Sequence, residues 1–274
     1  ELPLGARPAY GVLVAAAVGL MPEWTRKPLG LPTLPVAHDR VADALGRFST
    51  RTIRWATTGD RDLTATLRAG RDALVRRWPL AGDDETREAL LAAYGDPRRG
   101  YHDIRHLTEV LDRLDQLADA EADALTDVDP TALALAAWFH DAVYDGGPEA
   151  EERSAAWAEE ALAHTPYAAE VARLVRLTET HDPAADDLAG QALSDADLAI
   201  LASERLRYDE YVAGVRRDYA HVSDSDFAAG RAAVLRDLLG RDRLFHTSYA
   251  RERWEPQARL NLRRELDALE KAQV

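Results

Sequence analysis

Ala132-Leu133-Ala134-Leu135-Ala136-Ala137-Trp138-Phe139-His140-Asp141 is an apolar run that closes on an imidazole and a carboxylate. Alanine and leucine are strong helix formers, and nothing polar interrupts the run before His140, so it reads as a buried helix. Asp129-Pro130 just upstream supplies an N-cap and a proline at the first helical position. Ending such a helix on His140 and Asp141 costs solvation free energy unless each group finds a partner. A metal ion would partner both at once. A second His pair stands upstream in Tyr101-His102-Asp103-Ile104-Arg105-His106, and an acidic pair downstream in Leu193-Ser194-Asp195-Ala196-Asp197-Leu198.

Around these segments the chain reads as helix. Alternating β-branched runs do not occur, and Ala, Leu, Arg and Glu dominate. The pattern predicts an all-α protein. A short apolar helix is expected over 6–21, a connector rich in Pro and Gly over 22–35, and amphipathic helices over 36–57 and 60–78. Asp83-Asp84-Glu85 starts a further helix, which Gly95-Asp96-Pro97 stops. Helices over 149–164 and 168–181 follow, the second stopped by Pro183. Ser194 reads as the cap of a short helix carrying Asp197. Ser223 with Asp226 resembles a capping box for a helix reaching Leu239, and the last helix spans about 251–272. A shift in composition near 80–100 divides a small helical N-terminal appendage, 1–80, from a main domain, 81–274.

Composition narrows the chemistry. The chain has 274 residues, 46% of them hydrophobic and 30% charged, enough to bury a sizeable core. With no cysteine, it has no disulfide, thiolate metal site or cysteine nucleophile. Any metal must be held by His, Asp, Glu, backbone or water. The net charge of −14 repels a phosphate backbone, so extended nucleic acid is not an expected partner, although a bound cation would still admit a small phosphorylated substrate. The longest apolar run, Tyr10 to Met21, falls short of the roughly 20 residues that span a bilayer. It also lacks the flanks of a signal peptide. No membrane partner and a cytoplasmic location are the expectation. A homo-oligomer is compatible with the sequence.

His102 and His106 stand four residues apart, so on a helix they would share a face. His106, His140, Asp141 and Asp197 would converge from different helices as a mixed imidazole and carboxylate set for a divalent cation. Manganese, magnesium, iron, cobalt, nickel and zinc all suit such a set. Metal-bound hydroxide would be the nucleophile, oriented by Asp141. His102 would protonate the leaving group, and Arg99 and Arg105 would hold a substrate phosphate. Asp145, Glu152, His181 and Asp195 are further candidates, either around the metal or as ligands of a second one. Arg259 and Asn261 are expected to tie the last helix to the main domain.

The order His…His-Asp…Asp resembles the HD superfamily of metal-dependent phosphohydrolases. Arg99-Gly100-Tyr101-His102-Asp103-Ile104-Arg105-His106-Leu107 is similar to a Tyr-His-x-x-x-His segment in one bacterial branch of predicted HD phosphohydrolases. The stretches 137–145, 151–155, 195–201 and 255–262 are similar to that branch as well. The resemblance covers roughly residues 80 to 270. It implies an HD-domain helical bundle that hydrolyses a phosphate ester in a nucleotide or small phosphorylated metabolite. Cyclic-nucleotide phosphodiesterases share the Tyr-His-x-x-x-His spacing, and that likeness implies a proton-donor role for His102 and a ligand role for His106. The Ala-Asp pair usual for the last HD ligand favours Asp197 over Asp195. Residues 7–32 resemble the closing segment of latex-clearing-protein-like oxygenases, which would make the chain part of a longer fusion.

Two other functions fit the same residues. Some HD-fold proteins bind two irons and activate dioxygen, using extra His ligands between the His-Asp pair and the last Asp. His164 and His181 lie in that interval. A non-catalytic module that binds a nucleotide would use the same pocket.

Overall fold

The computed structural model describes residues 70–272. The helices and connector expected over 6–57, and the segment likened to an oxygenase, lie outside the described residues. A helical segment over 70–77 leads into α1 (Asp84–Tyr94), α2 (Ile104–Ala120), α3 (Pro130–Phe139), α4 (Ala150–Ala161) and α5 (Ala168–Leu177). Then come α6 (Leu188–Leu198), a 3-10 turn (Ala199–Ala202), α7 (Arg205–Asp218), α8 (Asp224–Gly240), α9 (Ser248–Arg253) and α10 (Glu255–Ala272). No strand occurs among the described residues, so the all-α expectation holds there. Leu74 and Trp78 pack into the hydrophobic core, and the compact unit runs from Arg71, ahead of the boundary expected at 80/81.

The apolar run forms the centre of the bundle. α3 touches α2, α4, α5 and α6, and Leu135, Ala136, Ala137, Trp138 and Phe139 are wholly buried. A helix surrounded on all sides has no polar face to keep, which is why its sequence shows none. Full burial of a side chain such as Phe139 is worth roughly 1.5–3 kcal/mol. Asp129 caps α3 as expected, accepting from Thr131 N at 2.8 Å and Ala132 N at 3.2 Å, with Pro130 at the start of the helix. α2 is amphipathic: Leu107, Val110, Leu111, Leu114 and Leu117 face inward at helical spacing.

Several helix ends differ from their sequence reading. α2 begins at Ile104, because Asp103 turns its carboxylate back onto the N–H groups of Arg105 (2.9 Å) and His106 (3.3 Å). That cap leaves His102 in the turn before the helix. α5 stops at Leu177, and the chain passes through a left-handed residue at His181 (φ 51°) before Pro183. Ser194 lies in the middle of α6, whose cap is Asp187, accepting from Gly190 N at 2.9 Å. The far end of the bundle is tied as expected. Arg259 donates to Leu239 O and Arg241 O, and Asn261 donates to Leu201 O and Ser203 O.

Candidate metal centre

Three helices deliver four ligand groups to one point. His106 stands on the first turn of α2, His140 and Asp141 leave the C-terminal end of α3, and Asp197 is near the end of α6. His106 Nε2 and His140 Nε2 are 3.0 Å apart. Asp141 Oδ2 lies 3.1 Å from the former and 3.2 Å from the latter. Asp197 Oδ1 lies 3.2 Å from His106 Nε2 and 3.6 Å from His140 Nε2. Both imidazoles are buried.

The electrostatics follow from that crowding. Burial lowers the proton affinity of His106, but the Asp141 and Asp197 carboxylates outweigh it and hold its pKa above the ordinary value. His140 is raised further still, burial again being overridden, chiefly by the Asp141 charge. Burial would lift Asp141 and Asp197, yet His140 and its neighbours hold both below the ordinary carboxylate range. The cluster therefore calls for positive charge. Two imidazole nitrogens facing each other at 3.0 Å need a shared proton or a cation between them. A divalent cation fits this donor set, with His106, His140 and Asp197 offering ligand atoms all within 4.8 Å of one another and Asp141 alongside.

The support around the ligands fixes their orientation. His140 donates from Nδ1 to Ala137 O at 2.8 Å, which turns Nε2 toward the cluster. Asp141 N donates to Tyr94 Oη at 3.2 Å. Arg99 stacks over the Tyr94 ring and donates to His102 O, Asp141 O and Ala142 O, each at 2.8 Å. It thus staples the His102 turn to the His-Asp corner.

His102 sits beside the ligands and not among them. Its Nδ1 lies 3.0 Å from Asp218 Oδ2, at the end of α7, and its ring stacks on Tyr144 with 3.8 Å between centroids. Asp218 is itself held by the N–H groups of Gly100 and Tyr101. The candidate ligand cluster and this dyad open together into a cavity of about 360 Å³, lined by His102, Asp141, Tyr144, His181, Asp197 and Asp218.

Neither a family model, nor a curated protein, nor a solved structure matches the chain.

Of the remaining candidates, His181 is at the site: its Nε2 lies 3.5 Å from Asp197 Oδ2 and it lines the cavity. Asp195 is not. Two residues along a helix turn the side chain by about 200°, so Asp195 points away from Asp197. It is wholly buried and accepts from His246 N and Thr247 N, both at 2.8 Å, tying α6 to the start of α9. Asp145 is paired with Arg153, and Glu152 with Arg176, on exposed surface. His164 is exposed. The two arginines expected to hold phosphate are elsewhere engaged: Arg99 on three carbonyls, Arg105 with Glu109 and Glu210. Sequence reasoning missed Asp218, Tyr144, Glu149 and Glu151, all of which line the cavity. Tyr144 follows the His-Asp corner closely enough to have been suspected. Asp218 carries no local signal, because Arg216-Arg217-Asp218 reads as an ordinary solvated helix end.

Proposed function

We propose that the chain is a metal-dependent phosphohydrolase of the HD type, which cleaves a phosphate ester in a nucleotide or small phosphorylated metabolite. The observation that carries this is the pairing of two unlike devices on one cavity: a buried His106, His140, Asp141 and Asp197 cluster, and a separate His102–Asp218 dyad. A divalent cation, if held by His106, His140, Asp141 and Asp197, would supply an activated water and neutralise charge on phosphoryl oxygens. Asp218 fixes the His102 tautomer by accepting from Nδ1, so Nε2 is free to hold a proton for the departing ester oxygen. Tyr144 stacks on the ring and keeps it in place. Arg99, engaged on carbonyls, holds the His102 turn against the His-Asp corner.

The test is hydrolysis. Protein loaded with manganese, then with iron, is offered a panel of nucleotides and phosphate monoesters, and released phosphate is measured. Turnover that is lost in His102→Ala and in Asp197→Ala supports the reading. No turnover with any metal and any ester removes it.

One observation favours a second reading. His181 stands beside Asp197, where an extra imidazole could serve a second ion, as a two-iron oxygenase would need. Two irons per chain with oxygen uptake would decide for it.

A further inference from the structure

Two more cavities, of about 530 and 460 Å³, border His102 along α7 and α8. They share His102, Tyr211, Arg231 and Val234, so they adjoin each other. Most of their wall surface is apolar, with Ile200 and Leu238 in one and Val215 and Phe227 in the other, beside the carboxylates of Glu179, Asp197 and Asp237 in the first and Asp226 in the second. Val234 is 49% exposed and Tyr219 41% exposed, so apolar surface also faces outward along this groove. Tyr101 lines the first cavity and is only 5% exposed, and its buried hydroxyl has no hydrogen-bond partner.

Charge on the walls sets a second limit. The polar cavity carries Asp141, Glu149, Glu151, Asp197 and Asp218, and no Lys or Arg lines it among the described residues. The apolar pair has Arg231 and Arg241, both engaged. Arg231 donates to Glu265 and Tyr211 Oη, and Arg241 to Asp237 and Thr180 O. An anion beyond the phosphate at the cluster would meet carboxylates without a cationic partner, which is unfavourable.

We infer that the substrate bears a single phosphate group on an apolar or aromatic alcohol. The alcohol portion lies in the groove between α7 and α8, and the Tyr101 hydroxyl donates to an oxygen of the ester. This rests on the phosphohydrolase reading and narrows its substrate class, setting polyphosphorylated nucleotides aside. In the reaction the oxygen of water bonds to phosphorus, and the ester P–O bond breaks. The alcohol oxygen leaves with the electron pair and takes a proton from His102 Nε2, and water gives up its proton to solvent.

The experiment compares kcat/KM of the full, manganese-loaded chain for benzyl phosphate, glycerol 3-phosphate and ATP. Benzyl phosphate and glycerol 3-phosphate both release a primary alcohol, so their intrinsic reactivity is matched. The expected preference for benzyl phosphate is tenfold or more, on the order of what burying one ring contributes. Val234→Glu, on an exposed position, is expected to collapse that ratio. Tyr101→Phe is expected to lower kcat/KM for benzyl phosphate by roughly tenfold while leaving Tm unchanged, because the lost hydroxyl bonds nothing in the free protein. Measurable turnover with a benzyl-to-glycerol ratio near one, or with ATP preferred, overturns the inference and leaves the phosphohydrolase reading standing. No turnover of any ester overturns both.

Discussion

His102 Nδ1 lies 3.0 Å from Asp218 Oδ2, joining a turn before α2 to the end of α7 across 116 residues of chain. Asp218 in turn accepts from two backbone N–H groups of the same turn. Asp218→Asn keeps the size and removes the charge that favours an Nδ1–H tautomer. Turnover is expected to fall on the order of 10- to 100-fold, with metal content unaltered. A p-nitrophenyl ester, whose leaving group needs no proton, should lose far less in the variant, which distinguishes this from simple damage.

Arg99 offers a sharper choice between two roles. As a staple it holds three carbonyls, and Arg99→Met would strand them. A loss of roughly 2 to 4 kcal/mol in unfolding free energy is expected, together with weaker metal retention, since Asp141 O is one of the three. As a phosphate binder it would instead raise KM and leave Tm in place. Denaturant unfolding and steady-state kinetics on one variant separate the two.

Gly100 and Gly214 let that same turn press onto α7. A Cβ at Gly100 would run into Gly214 O, and one at Gly214 would stand 2.9 Å from Gly100 O. Backbone cannot yield as a flexible side chain can. Gly100→Ala is expected to cost roughly 1 to 3 kcal/mol and to part His102 from Asp218. Thermal unfolding reads the first effect, and loss of turnover with metal still bound reads the second.

Much of this site is visible in the chain before any coordinates. The four candidate ligands stand out because His140 and Asp141 close an apolar run and His106 and Asp197 each have an apolar neighbour, and a buried imidazole or carboxylate demands a partner. Asp129-Pro130 marked the start of α3 because capping is local chemistry. His102 was harder. Four-residue spacing suggested a shared helix with His106, but Asp103 caps α2 after it, and a cap choice depends on which backbone N–H groups are free. Asp218 was invisible for a different reason: its role comes from tertiary packing of α7 on the turn, and nothing in its neighbours signals that. Arg99 and Arg105 were misplaced because a sequence shows charge without showing which carbonyls or carboxylates already claim it.

Glu109 gives a prediction about acid stability. Burial would raise its pKa, but hydrogen bonds from Arg207 at 2.7 and 2.6 Å, with Arg105 nearby, hold it below the ordinary 4.5. A carboxyl lowered on folding contributes stability that is complete above its unfolded pKa and is lost as pH falls through the folded one. Glu109→Gln should therefore be less stable than the parent at pH 7, by about 1 kcal/mol. The gap should close as pH drops below 4.5. Urea unfolding at pH 7 and pH 3 checks it.

His106, His140, Asp141 and Asp197 are proposed to hold a metal ion. Elemental analysis of protein purified without chelator or added metal tests it most directly, with Asp197→Ala and His140→Ala prepared alongside and their folding checked by circular dichroism. About one divalent ion or more per chain is expected in the parent, and little in either folded variant. A folded parent that carries no metal, and takes up none when manganese, iron and zinc are offered, would contradict it.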